Sequence, residues 1–177
     1  MHHPLSGFSM RYLKGRGEQF KEILQTFPKY YAGAFSSSPI VMVVMDNHHV
    51  AAACCITSLS NSVIMCVKKE YRRKGLGTRL EWTTICAAQR QGRNFVTGAL
   101  SLRNIPALRI VYKLGYKEIV RLKGYEFIIM MIPFNVRGEV LYAFSRRLCL
   151  AFSLVLPEIF LSRTIKLLMD IVEWAHG

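Results

Sequence analysis

Residues 63–78 read VIMCVKKEYRRKGLGT, and this stretch decides the predicted fold. Its first five residues are all apolar and have β-branched residues at both ends, which predicts a buried strand. Charged residues follow at once, and Gly75 and Gly77 then flank Leu76 where a helical pattern begins. A strand, a basic glycine-containing turn and a helix start are the parts from which a phosphate site is built.

The turn from Arg72 to Thr78, which we call the cradle, has the residue types that an anion site needs. A helix start leaves several backbone N–H groups without partners and carries the positive end of the helix dipole. Glycines let a phosphate approach the backbone, and the cations at 72–74 add positive charge. No Gly-Lys-Ser/Thr follows, which excludes a Walker loop, and the glycine spacing excludes a Rossmann fingerprint.

A second patterned segment covers residues 104–116, NIPALRIVYKLGY. Asn104 occupies the position of a helix cap, and Pro106 falls in the first turn. The spacing predicts a helix that runs to Leu114 and ends at Gly115.

Together the two segments resemble the GNAT superfamily of N-acetyltransferases. The family's acetyl-CoA motif is a strand ending in Val, followed by Arg or Gln, two residues, Gly, one residue, and Gly or Ala. Val67, Arg72, Gly75 and Gly77 fall in this register. The next family motif is an Asn that opens a helix ending in Leu-Gly-Phe or Leu-Gly-Tyr, as in residues 104–116. The resemblance covers roughly residues 20–134 and implies acetyl-CoA as a co-substrate.

The resemblance also implies a cofactor site, in a cleft where the strand at Val63 splays from the strand at Phe95. Backbone groups of the strand would pair with the pantetheine arm, the cradle would hold the pyrophosphate, and Asn104 would reach the cofactor arm. The N–H near Val67 would polarise the thioester carbonyl. The implied cofactor-binding residues are Met65, Cys66, Val67, Arg72, Arg73, Lys74, Gly75, Leu76, Gly77, Thr78 and Asn104.

The catalytic residues implied by the family match this sequence less closely. The family places a tyrosine, the acid for the leaving thiolate, four residues before the helix-ending Gly, and Val111 occupies that position here. Tyr112, one residue later and so about 100° around the helix, is the candidate acid. The strand residues 63–67 and 95–101, which would line the cleft, offer no carboxylate as a base. The remaining candidates for the base are Glu118, Glu126, a water relay or a backbone carbonyl.

The remaining pattern predicts an α/β (α+β) fold, a mixed sheet with helices on both faces. The order of the elements matches what the resemblance implies, a GNAT-like mixed, mostly antiparallel sheet flanked by helices. A short strand or a mobile arm is expected near residues 8–13. Helices are expected over 18–31, 75–91 and 104–114, and strands over 40–45, 50–59, 63–67, 94–102, 116–122 and 125–132.

Residues 137–177 differ from the rest, and we predict a domain over 1–136 and an apolar helical extension over 137–177. A helix over 139–156 is apolar almost all round, and Pro157 breaks it before a second amphipathic helix. This C-terminal helical hairpin is expected to dock on the domain or form a homodimer. Contact with a membrane surface is the alternative.

Composition bounds the function further. The chain has 177 residues, is 51% hydrophobic and carries a formal net charge of +13, which favours anionic partners. Its five cysteines form no Cys-x-x-Cys motif and mostly lie in apolar runs, which indicates reduced thiols in a cytoplasmic protein. The histidines lack ligand spacing, so no metal is expected.

The sequence thus favours an acyltransferase that moves an acetyl group from acetyl-CoA to a primary amine by direct attack. The acceptor could be a protein or another anionic macromolecule. The alternative is a catalytically weak acyl-CoA-binding or scaffold protein with the same fold. An RNA-binding module is a third hypothesis, but the basic residues lack interleaved aromatics.

Overall fold

The computed structural model describes residues 8–13, 17–27, 32–58, 61–122 and 126–155, with side chains described up to residue 151. The described chain divides into two compact units. The first unit comprises residues 8–58 and 63–91, and the second comprises residues 61–62 and 92–155.

The first unit holds a four-stranded antiparallel sheet in the order β1-β2-β3-β4. A short 3-10 helix, Lys69–Tyr71, follows the last strand. The elements are β1 (Phe8–Tyr12), α1 (Glu18–Thr26), α2 (Ala32–Ser37), β2 (Ile40–Asp46), β3 (His49–Ile56), β4 (Val63–Val67) and α3 (Leu76–Arg90).

Helices cover both faces of this sheet, and the neighbouring residues Cys54 and Cys55 of β3 show it. Cys55 belongs to the apolar cluster that α1 and α2 form with the strands, around Ile23 and Phe35. The Cys54 thiol interacts instead with Thr84 of α3. Because both faces are buried, β2 and β3 are continuous apolar runs and do not alternate apolar with polar residues.

The second unit holds a three-stranded antiparallel sheet in the order β5-β7-β6. One parallel bridge joins Ser62 to Thr97 of this sheet. The elements are β5 (Phe95–Ser101), α4 (Ile105–Lys113), β6 (Lys117–Leu122), β7 (Phe127–Pro133) and α5 (Val136–Val155).

Helix α5 packs on β6 and β7. The Tyr142 hydroxyl donates to the Glu118 carbonyl at 3.0 Å, and Lys117 Nζ lies 2.7 Å from Glu139 Oε1. Among the helices of the described residues, none is both long enough and apolar enough to cross a membrane.

The predicted fold class is confirmed, with antiparallel sheets, flanking helices and a C-terminal helix. Helix α2 was not expected, because residues 36–39 have the composition of a loop. Helix α5 begins three residues earlier than predicted, since Asn135 Oδ1 accepts the Gly138 N–H at 3.0 Å and caps it. The second helix of the predicted hairpin lies outside the described residues, and the domain boundary at residue 136 stays a prediction.

Gly138 of α5 lies against the backbone of Asn94, the residue before β5. A Cβ placed on Gly138 would lie 2.2 Å from the backbone oxygen of Asn94. That oxygen also accepts the Phe134 N–H at 2.9 Å, so the backbone around Asn94 is held in place. Only glycine fits here without displacing backbone.

We therefore expect Gly138→Ala to lower the free energy of unfolding by about 1–3 kcal/mol through overpacking. Gly33→Ala is the matched control, because Gly33 also lies in a helix and its added Cβ meets nothing within 4 Å. The control should be neutral or slightly stabilising. Urea unfolding monitored by circular dichroism compares the two, and equal stability of the two variants would contradict the tight contact.

Candidate active site

The register between β3 and β4 determines which backbone groups of β4 point outward. Val67 lies opposite Ala52, and the Lys68 N–H donates to the Ala51 carbonyl at 3.0 Å. In an antiparallel pair, hydrogen-bonded positions alternate with positions whose N–H and C=O point away. Lys68, Cys66 and Ile64 therefore turn their backbone groups toward β3.

It follows that Met65 and Val67 direct their backbone N–H and C=O away from β3. Because β4 is the edge strand of its sheet, these are the groups that an extended ligand would meet. The Val67 carbonyl accepts a hydrogen bond from Arg72 Nε at 3.2 Å, so the Arg72 side chain folds back over the end of the strand. Of the three strand residues implied by the resemblance, Met65 and Val67 have the required orientation, and the Cys66 backbone is used within the sheet.

The Cys66 side chain packs against the cluster formed with α1 and α2. Burial raises the pKa of its thiol to about 11, although the positive charge of Arg72 partly offsets this. A thiol with such a pKa stays protonated at neutral pH and is a poor nucleophile. Cys66 is therefore unsuited to carry an acyl group.

The backbone of the cradle turns through left-handed conformations. Arg73 has φ 63° and Gly75 has φ 76°, and Gly75 precedes the first residue of α3. The first intrahelical bond runs from the Arg79 N–H to the Gly75 carbonyl at 3.2 Å, and no side chain caps the helix start. The N–H groups of residues 76–78 thus have no partner within the helix, as an anion site requires.

The side chains of Leu76 and Leu80 are buried and anchor the first turn of α3, and Gly77 is buried with them. Residues 72–75 are exposed beside this anchored turn. The helix start is therefore fixed by its apolar residues, while the backbone before it faces solvent.

The cations of the cradle differ from their neighbour Lys68 in their ion pairing with carboxylates. Lys68 Nζ lies 2.9 Å from Glu22 Oε1, and the same oxygen accepts the Val50 N–H at 3.0 Å. In the described part of the chain, by contrast, no carboxylate forms an ion pair with Arg72, Arg73 or Lys74. Their charge is available to an anion from outside.

Lys74 is held by two aromatic rings that the motif did not predict. Its Nζ lies 5.2 Å from the centroid of Tyr71 and 5.8 Å from that of Phe8, within range of a cation–π interaction. The two rings meet edge to face, and the Tyr71 hydroxyl donates to Asp46 Oδ2 at 3.0 Å. That hydrogen bond raises the pKa of Tyr71. The sequence signal was an aromatic residue inside a basic turn, but nothing pointed to Phe8.

Asn104 is the N-cap of α4, as predicted. Its Oδ1 accepts the Ala107 N–H at 3.3 Å, and Pro106 lies in the first turn. The side-chain oxygen is thus engaged by its own helix, which leaves the amide NH₂ as the group that could reach a cofactor. Asn104 belongs to the second unit, as do Tyr112, Glu118 and Glu126.

Helix α4 buries Val111 and exposes Tyr112, as the one-residue offset predicts. The Tyr112 hydroxyl donates to Glu118 Oε1 and accepts from Arg121 Nη2 at 3.3 Å. Arg121 Nη2 also lies 2.5 Å from Glu118 Oε1, which completes a three-residue cluster on the surface of the second unit.

The cluster shifts the pKa values of its members in opposite directions. The hydrogen bond to Glu118 raises the pKa of Tyr112, so the phenol keeps its proton. Burial alone would raise the pKa of Glu118, but the hydrogen bonds from Tyr112 and Arg121 outweigh it and the pKa is lowered. Glu118 is therefore an ionised and weak base at neutral pH.

The second candidate base, Glu126, is half-buried and forms an ion pair with Arg103. Glu118 and Glu126, the two candidate bases, thus each form an ion pair with an arginine. Over the described ranges, no group of three or more His, Cys, Asp and Glu side chains is placed to hold a metal ion.

Removing the charge of Glu118 should free the Tyr112 phenol to ionise more readily. We expect Glu118→Gln to lower the pKa of Tyr112 toward its ordinary value, because the carboxylate that disfavours the phenolate is gone. NMR titration of ring-labelled tyrosines, assigned with Tyr112→Phe, measures this among the eight tyrosines. Glu126→Gln is the control and should leave Tyr112 unchanged, whereas an unaltered titration in Glu118→Gln would refute the contact.

Comparison with known proteins shows what this chain is similar to. Residues 37–118 match the family model described as an acetyltransferase (GNAT) domain. A search of curated protein sequences finds no significant match.

Solved structures with a similar fold are acetyltransferases. The ribosomal-protein-S18-alanine N-acetyltransferase from Escherichia coli aligns with a TM-score of 0.60 and 18% identity, over 73% of this chain and 95% of that chain. A Bacillus subtilis acetyltransferase in complex with CoA aligns with a TM-score of 0.57 and 13% identity, over 72% and 99%.

A third similar structure is a putative acetyltransferase from Salmonella typhimurium with its cofactor acetyl-CoA. It aligns with a TM-score of 0.55 and 14% identity, over 74% of this chain and 96% of that chain. Identities this low establish the fold alone. With the family match over residues 37–118, they confirm the predicted resemblance to the GNAT acetyltransferases.

Proposed function

We propose that this chain is an N-acetyltransferase that moves an acetyl group from acetyl-CoA to a primary amine by direct attack in a ternary complex. The observation that carries the proposal is the uncapped start of α3, beside three cations without carboxylate partners in the described residues. Structures of similar fold that hold CoA or acetyl-CoA support it.

In this proposal, the chain binds the cofactor mainly through its backbone. The N–H groups of residues 76–78 bind the pyrophosphate, and Arg72, Arg73 and Lys74 add charge around it. The amides of the pantetheine arm pair with the outward backbone groups of Met65, as an added strand would, and the Val67 N–H is left for the thioester carbonyl. The Asn104 amide donates to the same arm.

The chemistry needs one bond to form and one to break. The amine nitrogen attacks the thioester carbonyl carbon, and the negative charge that develops on the carbonyl oxygen is stabilised by the Val67 N–H. The C–S bond then breaks, the thiolate takes up a proton, and the new amide loses one to water or to a base. The high pKa of Cys66 supports direct attack over an acyl-cysteine intermediate.

Tyr112 is the proposed acid for the thiolate, and it would have to leave Glu118 to act. This same hydrogen bond favours the second candidate function, a catalytically weak acyl-CoA-binding or scaffold protein. In that case the Tyr112 phenol would only form hydrogen bonds within the surface cluster with Glu118 and Arg121.

We further propose that the acceptor is a protein or another anionic macromolecule, in keeping with the net charge of +13. The five cysteines are unpaired, which supports a reducing, cytoplasmic setting as part of the proposal.

A single substitution in the cradle tests cofactor binding. Gly75→Asp should weaken acetyl-CoA binding at least about 10-fold in calorimetry, because a carboxylate would face the phosphates. Gly75→Asn is the matched control, since Asn has the same shape, tolerates positive φ and carries no charge. A Cβ at this position meets nothing within 4 Å, so both variants should fold. Equal affinities of the two variants for acetyl-CoA would show that the phosphates do not bind at this turn.

Turnover distinguishes the two candidate functions. If Tyr112 is the acid, Tyr112→Phe should lower kcat by about 10²- to 10⁴-fold with little change in acetyl-CoA affinity. Release of free CoA thiol is measured against a panel of peptides and small amines, with Tyr142→Phe as the control. Tight binding without turnover on any amine would favour the scaffold.

A further inference from the structure

We propose that the outer face of α5 docks on an anionic lipid surface. We define this outer face by five exposed apolar residues, Val136, Val140, Leu141, Phe144 and Leu148. The proposal concerns the second unit alone and does not depend on acetyl transfer.

The orientation of α5 is fixed by the contacts of its other side. Gly138 lies against the Asn94 backbone, Glu139 pairs with Lys117, and the Tyr142 hydroxyl reaches the Glu118 carbonyl. The residues that face β6 and β7 therefore have partners, and the helix cannot rotate to bury its opposite side.

The outer face is more exposed than side chains of its type usually are. Val136 is 79% exposed, and Val140 and Phe144 are each 63% exposed. With Leu148 they follow one another at spacings of four residues and form a stripe along the helix. A contiguous apolar stripe on a surface helix indicates a contact surface.

The charges beside the stripe identify the kind of partner. Arg137 and Arg147 fall within or next to it at helical spacing, Arg146 lies to one side, and all three are exposed. The only carboxylate of α5, Glu139, is bound to Lys117. Arg146 interacts with Glu118, whereas Arg137 and Arg147 form no ion pair among the described residues. The face thus combines apolar side chains with two uncompensated cations, the combination that binds the headgroup and acyl boundary of an anionic bilayer.

The same charges argue against a second copy of this chain as the occupant. In a two-fold antiparallel pairing of α5 helices, Arg137 of one copy would lie near Arg147 of the other. No carboxylate on the outer face of α5 would compensate these like charges. An anionic surface supplies partners for Arg137 and Arg147 at once.

Flotation of the full chain with vesicles tests the proposal. The protein should float with phosphatidylcholine vesicles that contain phosphatidylserine, and much less with phosphatidylcholine alone. Arg137→Gln with Arg147→Gln should reduce binding about 25-fold, since each basic residue contributes about fivefold. Phe144→Asp should abolish it. Arg90→Gln and Trp82→Asp, which alter an exposed cation and an exposed aromatic residue on α3, are the matched controls.

Thermal unfolding and acetyl-CoA calorimetry establish that each variant is folded, since α5 contributes no residue to the cradle. Failure of the folded wild type to float with anionic vesicles would overturn the proposal. In that case, sedimentation velocity tests the other occupant: a dimer that Phe144→Asp dissociates indicates a second copy, and a monomer excludes it. Vesicle binding that survives both α5 variants would overturn it as well.

Discussion

The backbone pairing of β3 with β4 is the constraint on which the candidate site depends. Because Lys68 bonds to Ala51, the alternation along β4 sends the backbone groups of Met65 and Val67 outward and those of Cys66 inward. A shift of one residue would reverse this and would also place the Cys66 side chain on the opposite face. The apolar cluster around α1 and α2 and the packing of α3 hold the register from both sides.

A second constraint is the separation of charges around the cradle. Glu22 binds Lys68 and the start of β3, so this carboxylate stabilises the sheet and is kept from the cations that follow. Leu76 and Leu80 fix the start of α3, while left-handed backbone at Arg73 and Gly75 leaves its first N–H groups open. The site is therefore built from backbone direction and unpaired charge, and needs few dedicated side chains.

The sequence predicts those features of the fold and of the candidate site that depend on a short-range pattern of residues. The strand at 63–67, the helix start after Gly75 and the cap at Asn104 follow from short-range pattern, and the structure has all three. The contact of Phe8 with Lys74 and the ion pair of Lys68 with Glu22 join elements distant in the chain. The cluster of Tyr112 with Glu118 and Arg121 joins the consecutive elements α4 and β6. Spacing carries no information about them, because they depend on sheet order and helix rotation. The role of Tyr112 stays a prediction.

The aromatic support of Lys74 links the first strand to the cradle. Phe8 is the first residue of β1, which is an edge strand. Lys74, whose Nζ lies over the Phe8 ring, belongs to the turn that is proposed to hold phosphate. An anion that draws Lys74 toward the helix start removes this contact from β1, so occupancy of the site and opening of the strand are thermodynamically coupled. The end of β1 would then exchange its amide hydrogens faster in the bound state, although it lies outside the motif itself.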